Sequence, residues 1–229
     1  MASGGSTAKV KDILKDSHYF PSFEELGYEN DLDFRYWKEN EEDVWVQACT
    51  WCFLAEITND ETSQIPFLRN RVWVRDRQGR DSIPISFYPE RGFFDFKTLK
   101  KGHTVCVMLA EQHHFLDMTV GLRIESLDII KVIPCGLNEL FAISRSYSQC
   151  HNACWTDDCN VVSDAVDLKK CSACHIAQYC CKDCQTKDWK GRHRRWCKAL
   201  PEFLKMAKID YSTYNEHSLF GHLPIGRIW

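Results

Sequence analysis

A chain of 229 residues with 44% hydrophobic composition can build one substantial core plus a small satellite module, and is not mainly disordered. Its formal charge of −3, from 29 basic and 32 acidic residues, argues against a dedicated nucleic-acid or membrane-surface protein. No apolar run approaches the ~20 residues of a spanning helix, and the start MASGGSTAKVKD lacks the apolar stretch of a signal peptide, so an intracellular address, nucleus or cytoplasm, is expected.

Residues 1–19 are expected to be a disordered tail, the polar start from Met1 to Lys9 having no period. From Glu24 to Asp43 acids dominate, with only Arg35 and Lys38 against them. The segment reads as a solvated acidic face whose rings, Phe20, Phe23, Tyr28, Phe34, Tyr36 and Trp37, dock it on the domain that follows. Residues 20–136 are expected as that β-rich domain. Arg71–Arg75 and Ile83–Phe87 flank Gln78-Gly79 as a hairpin with a loop longer than two residues. Asp95 to Lys101 reads as a short helix stopped by Gly102. Alternation then returns at Val105, Val107 and Leu109, at Met118, Val120, Leu122 and Ile124, and in the run Ile129–Ile133. Five or six short strands with one helical insertion suggest a closed or partly closed OB-like barrel, since closure removes exposed edges. The pattern changes at residues 137–149, read as a helical linker. Residues 150–198 hold the cysteine cluster, and 199–229 are read as a C-terminal helix and tail, with Leu200, Phe203, Leu204 and Ala207 at helical spacing.

Of the thirteen cysteines, nine lie between Cys150 and Cys197. In a reducing compartment so dense a cluster points to metal rather than disulfides. The order is Cys150-x3-Cys154-x4-Cys159, then Cys171-x2-Cys174, Tyr179-Cys180-x3-Cys184 and His193-x3-Cys197. Four pairs of thiol and imidazole donors at short spacing are enough for two tetrahedral zinc ions. Cys171 and Cys174 suit a knuckle-like turn, while Cys180 with Cys184 and His193 with Cys197 are spaced to share a helix face. Cys154 and Cys159 are taken as the first pair, with Cys150 and Cys154 as the alternative. Cys181, His151 and His175 are read as bystanders.

The run Cys171-x2-Cys174-x4-Tyr179-Cys180-x3-Cys184-Gln185-x3-Trp189-x3-His193-x3-Cys197 resembles the MYND-type zinc finger. The match is specific over its second half, where spacing, the Tyr-Cys and Cys-Gln pairs and the tryptophan coincide. It departs at the start, where the family usually shows two cysteines two residues apart. The resemblance implies two interleaved structural zinc ions, one held by Cys154, Cys159, Cys180 and Cys184, the other by Cys171, Cys174, His193 and Cys197. It also implies docking of a protein partner through a proline-containing peptide, with Gln185 and Trp189 lining the groove. The segment from Gly102 to Glu125 is similar to the region ahead of this finger in small fungal proteins, which implies no activity.

The expected fold is therefore α+β: a small OB-like, β-barrel-like domain followed by a two-zinc finger with short helices. The expected function is a protein-interaction adaptor and not an enzyme. Four-ligand zinc leaves no open coordination position, and no nucleophile motif or phosphate loop is present. His113, His114 and Asp117 read as a surface loop. The alternative is a single-stranded nucleic-acid or transcription-associated binder using barrel rings (Trp73, Phe87, Tyr88, Phe93, Phe94) and the seven cations between Lys182 and Lys198. Those cations read first as compensation for thiolate charge and for solubility. A methyltransferase with an inserted finger is set aside for want of a methyl-donor motif, and a ubiquitin-ligase RING because histidine stands seventh in the ligand order.

Overall fold

The alternating segments between residues 50 and 133 become strands in the computed structural model, which describes residues 11–59, 70–89, 94–150 and 152–214. The chain divides into two units, residues 16–137 with 205–229, and residues 1–15 with 138–204. The first unit holds β1 (Trp37–Glu39), β2 (Trp45–Gln47), β3 (Cys52–Asn59), β4 (Arg71–Asp76), β5 (Ile83–Phe87), β6 (Thr104–Met108), β7 (His113–His114), β8 (Val120–Ile124) and β9 (Ile130–Ile133). Strands β3 to β9 form one sheet in the order β7-β8-β5-β4-β3-β6-β9, while β1 and β2 pair only with each other.

β3, β4 and β5 are antiparallel neighbours and β6 returns to lie beside β3, which is a Greek-key path. Strand β8 then joins β5 in parallel. The expected closed barrel is not formed: the sheet is open, with β7 and β9 at its two ends and no pairing between them among the described residues. Strands β5 and β6 are buried at every position. Both faces are therefore covered, which is why a period of two is weak there and clear in β4, whose residues alternate between half-buried or exposed and buried.

Proline and glycine set the β5–β8 seam. Pro84 has no N–H to give to the ladder. A Cβ on Gly121 of β8 would stand 2.1 Å from the Pro84 carbonyl oxygen and 2.5 Å from its Cγ. Only a residue without a side chain lets the two backbones approach so closely.

One side of the sheet is covered by the entry segment and the chain's return after residue 205. Tyr36 stacks on Trp51 at 4.1 Å, Phe20 packs on Tyr211 at 4.8 Å, and Thr50 N–H donates to the Tyr211 carbonyl at 3.0 Å. Phe20, Phe23 and Tyr36 thus dock as expected, but Phe34 does not: it is 71% exposed. The acidic segment also contains β1, which pairs with β2 just beyond it in a hairpin that the charge density hid. Residues 11–19, expected within a tail, are built; Leu14 is buried in a 3₁₀ turn, and Cys52 N–H donates to the Tyr19 carbonyl at 2.8 Å. Residues 1–10, Phe93, His151 and 215–229 lie outside the described residues.

The helix expected over 95–101 shortens to a 3₁₀ turn, Phe96–Thr98, capped by the Asp95 side chain. His113 and His114 form β7 rather than a loop; His113 Nδ1 pairs with the Glu29 carboxylate and His114 stacks on Tyr28. The second unit contains most of α1 (Leu137–Gln149), then β10 (Lys169–Lys170), β11 (Gln178–Tyr179), α2 (Lys182–Asp188), a π turn (Trp189–His193), α3 (Arg194–Trp196) and the start of α4 (Leu200–Ala207). Leu140, Ile143 and Ser144 give α1 a buried stripe at helical spacing. Tyr147 meets Phe203 edge-on at 5.7 Å, joining α1 to α4. The molecule is thus mixed α+β, with a large sheet and a helical region that carries the cysteines.

Candidate metal centre

Short antiparallel strands β10 and β11 are the base of a knuckle. Cys171 N–H donates to the Ala177 carbonyl at 2.8 Å, and His175 N–H to the Cys171 carbonyl at 2.9 Å. His175 takes the left-handed conformation, φ 59°, that closes so tight a turn, and its side chain is exposed. This aims the buried thiols of Cys171 and Cys174 inward. Two turns of helix beyond the knuckle bring back His193 and Cys197, whose N–H donates to the His193 carbonyl at 2.7 Å. The donor atoms of Cys171, Cys174, His193 and Cys197 all lie within 4.8 Å of one another, and all four residues are buried.

A second group forms nearer the surface. Cys154, Cys159, Cys180 and Cys184 also bring their sulfurs within 4.8 Å of one another. Cys159 Sγ is 3.7 Å from Cys180 Sγ, which is 3.6 Å from Cys184 Sγ. Cys180 does not share a helix with Cys184, as its spacing suggested. It stands on the turn before α2, and Cys181 takes the N-cap position, its sulfur accepting from Cys184 N–H. The structure places Cys159, not Cys150, beside Cys154; Cys150 sits just past α1, its N–H donating to the Ser146 carbonyl.

The donor chemistry fits zinc. A Zn–S bond of about 2.3 Å in a tetrahedron sets sulfur–sulfur edges of about 3.8 Å, close to the spacings seen. His193 Nε2 faces the Cys174 sulfur at 3.8 Å, while Nδ1 is buried with no hydrogen-bond partner. Nε2 is therefore the nitrogen placed to bind an ion, which leaves the ring proton on Nδ1. Burial lowers the His193 pKa and so favours the neutral ring that can bind a metal.

Without a cation the thiols hold one another's protons. Burial pushes Cys184 up to about 11, and burial with the neighbouring Cys174 and Cys171 pushes Cys197 up to about 12. Cys154 goes the other way: although burial raises it, N–H groups of Cys180 and Thr156 bring it down to about 7. Cys171 is likewise lowered, its burial outweighed by the N–H groups of Cys174 and Ala173.

Residues 148–197 match the MYND finger family. This segment is a MYND finger. Two relatives share it: ubiquitin carboxyl-terminal hydrolase 19 of Arabidopsis thaliana, 38% identical over 71 residues, and SET domain-containing protein 14 of Caenorhabditis elegans, 37% identical over 68 residues. Each match covers 29% of this chain, but only 10% and 15% of the respective relatives. No solved structure matches the chain. The MYND finger is a zinc-binding protein-interaction module, and the two four-residue groups are its metal-binding clusters.

The finger's helical arm is held by a network that spacing did not reveal. Tyr179 O–H donates to Asp188 Oδ2 at 2.7 Å, and Arg192 Nε donates to Asp188 Oδ1 at 2.9 Å. The Asp188 side chain is 2% exposed. Arg192 reaches further, to Asp157 at 3.0 Å, to the Ser146 hydroxyl at 3.3 Å and to the Trp155 carbonyl. One guanidinium thus ties α1 and the loop before Cys159 to the helix that supplies Cys184. The i, i+4 spacing of Asp188 and Arg192 was the available sequence signal, masked by the six other cations nearby. Those six, Lys182, Lys187, Lys190, Arg194, Arg195 and Lys198, are exposed.

Gln185 is half-buried in α2, one turn before Trp189. Trp189 opens the π turn, 39% exposed, its ring centroid 5.6 Å from that of the ligand-type His193. No helix among the described residues is long and apolar enough to cross a membrane.

Proposed function

We propose that the finger docks a proline-containing peptide of a partner protein across Gln185 and Trp189, and that the chain works as a zinc-scaffolded adaptor inside the cell, in nucleus or cytoplasm. The observation that carries this is the placing of Trp189. Its indole leans on His193 and leaves part of its surface to solvent, so a flat apolar platform is fixed directly by a metal cluster. A proline ring packs well on such a platform and brings little conformational entropy to lose. None of the thirteen cysteines is in a disulfide, which leaves the seven of the two clusters available as metal donors.

The donor sets support a reading in which the finger's ions are structural and the chain acts as an adaptor rather than an enzyme. Each cluster supplies four protein donors, so each ion would be closed to water and substrate. The Greek-key sheet is read as an opened relative of an OB-like barrel. Its rings offer little to nucleic acid. Phe87 is buried, Arg123 lies over Tyr88 at 4.8 Å, and Arg71 lies over Trp73 at 5.8 Å. Both cations are already paired, Arg123 with Glu125 and Arg71 with Asp117, each at 2.7 Å.

An array of proline-containing peptides probed with zinc-loaded chain tests the reading. Trp189→Ala should keep its full zinc content and weaken the bound peptides by tenfold or more. Binding unchanged in Trp189→Ala, or no binding by the parent chain to any such peptide, would refute the assignment.

A further inference from the structure

The entry segment carries an apolar patch that its own domain leaves uncovered. Phe34 is 71% exposed and meets Trp45, itself 40% exposed, edge-on at 5.2 Å. In the same segment Val44 is 52% exposed and Leu32 is 38% exposed. Two large aromatic rings packed on each other in water are a pair of the kind that marks an interaction site rather than scattered surface apolar residues.

The surroundings are mainly acidic, with Lys38 of β1 the one cation of the hairpin. Glu39 stands opposite Trp45 across the β1–β2 ladder. Glu41, Glu42 and Asp43 form the loop between the strands, a loop held by the Asn40 side chain accepting from the N–H groups of Glu42 and Val44 at 2.9 and 3.0 Å. None of these four acids has an ion-pair partner among the described residues. Arg35, one of two cations in the segment, is already engaged by Asp33 at 2.5 Å. The hairpin is also a sheet of two strands: on β1 the Trp37 N–H is taken by the Asp33 carbonyl at 3.1 Å, while β2 has no second strand beside it among the described residues.

We infer that the β1–β2 hairpin is a second docking surface, which takes an extended basic peptide of a partner protein in which cationic residues alternate with large apolar ones. Such a peptide adds main-chain hydrogen bonds at a strand edge and points alternate side chains to one face. Its apolar side chains cover Phe34 and Trp45, and its cations meet the acids of the loop. A neutral apolar segment would leave those acids uncompensated, and an acidic one would be repelled. This surface is independent of the peptide reading at Trp189.

The test measures fluorescence anisotropy of a short labelled peptide of alternating lysine and leucine with the full zinc-loaded chain. Parallel peptides replace lysine by glutamate, or leucine by serine. The lysine–leucine peptide should bind, lose tenfold or more in affinity at high salt, and outcompete both others by at least tenfold. Phe34→Ser with Trp45→Ser should weaken it at least tenfold. Glu41→Lys with Glu42→Lys, on an exposed loop that should still fold, should weaken it as much and flatten its salt dependence. Trp189→Ala should leave it unchanged. Equal binding of the glutamate peptide, or parent-like binding by the charge-reversed variant, would overturn the inference. So would a concentration-dependent dimer abolished by the Phe34 and Trp45 changes, which would give the patch to a second copy of the chain.

Discussion

Asp188→Ala should weaken zinc binding by the finger although Asp188 is not placed as a ligand. The change strands two donors, the Tyr179 hydroxyl, in a residue only 1% exposed, and Arg192 Nε. An unsatisfied buried hydroxyl costs about 1–3 kcal/mol. Breaking a fully buried ion pair costs about 3–5 kcal/mol, but Arg192 is 19% exposed and keeps Asp157, Ser146 and the Trp155 carbonyl, so its share is smaller. A total of about 3 kcal/mol is reasonable for the pair of losses. Folding and metal binding are one event in such modules, and each structural zinc contributes about 10–16 kcal/mol. The variant should therefore still fold when loaded, and the loss should appear in affinity. At about 1.4 kcal/mol per decade, the product of the two zinc affinities falls roughly a hundredfold. Tyr179→Phe, which removes one bond and leaves the ion pair, should cost about 1 kcal/mol and roughly fivefold. Competition against a chromogenic chelator reads both values, with near-ultraviolet circular dichroism reporting the fold of the loaded protein. An Asp188→Ala affinity within about twofold of the parent would show that the carboxylate does not support the metal-bearing helix.

Cys171→Ala should leave one zinc per chain by elemental analysis, with the sheet still folded; retention of both ions would mean that the buried four-donor set is wrongly composed. Gly121→Ala would set a Cβ 2.1 Å from the Pro84 carbonyl. It should part β8 from β5 at a cost of about 3 kcal/mol or more, lowering the melting temperature of the sheet unit by roughly 10 °C; a fall of less than about 3 °C would contradict the close seam. The Asp117 carboxyl accepts from the Thr119 hydroxyl, from Arg71 and from Thr119 N–H, which brings its pKa from 3.8 to about 2. Because the folded value is depressed, its contribution is present above about pH 4 and is lost as pH falls through about 2. A carboxyl-carbon NMR titration with a midpoint near 4 would show that these bonds are not held in solution.

Local chemistry decides what could be read from residue order. Metal donors must converge within a few ångströms, and a knuckle or a helical turn brings them there within two to four residues, so the grouping of Cys171 with Cys174 is written in the spacing. The pairing of those cysteines with His193 and Cys197 is not local, and there the family resemblance supplied what spacing did not. For the sheet the position is reversed. β4 and β5 were legible because β4 has one face partly open and because a turn separates them, but the closure of the sheet depends on which distant strands meet. Alternation describes faces and is silent about neighbours. The β1–β2 hairpin escaped for another reason: its strands have three residues each, too short for a period, and β1 and the loop after it are rich in charge.

The basic run between Lys182 and Lys198 shows how a composition argument treats alike residues that the fold separates. Counted together, these cations are expected to compensate thiolate charge. Counted by place, six face water while Arg192 is drawn inside by a carboxylate, a carbonyl and a hydroxyl. The π turn lies between Asp188 and the His193 cluster, and a π turn shifts the angular position of every residue after it. A wheel drawn at constant pitch through 182–198 therefore misplaces His193 and Cys197 relative to Cys184. Arg192 sits within that turn, bonded to Asp188 before it and with its guanidinium 5.0 Å over the Trp196 ring after it. Its ion pair is thus in position to fix the angle at which one metal cluster presents its ligands relative to the other, a coupling that no spacing of cysteines encodes.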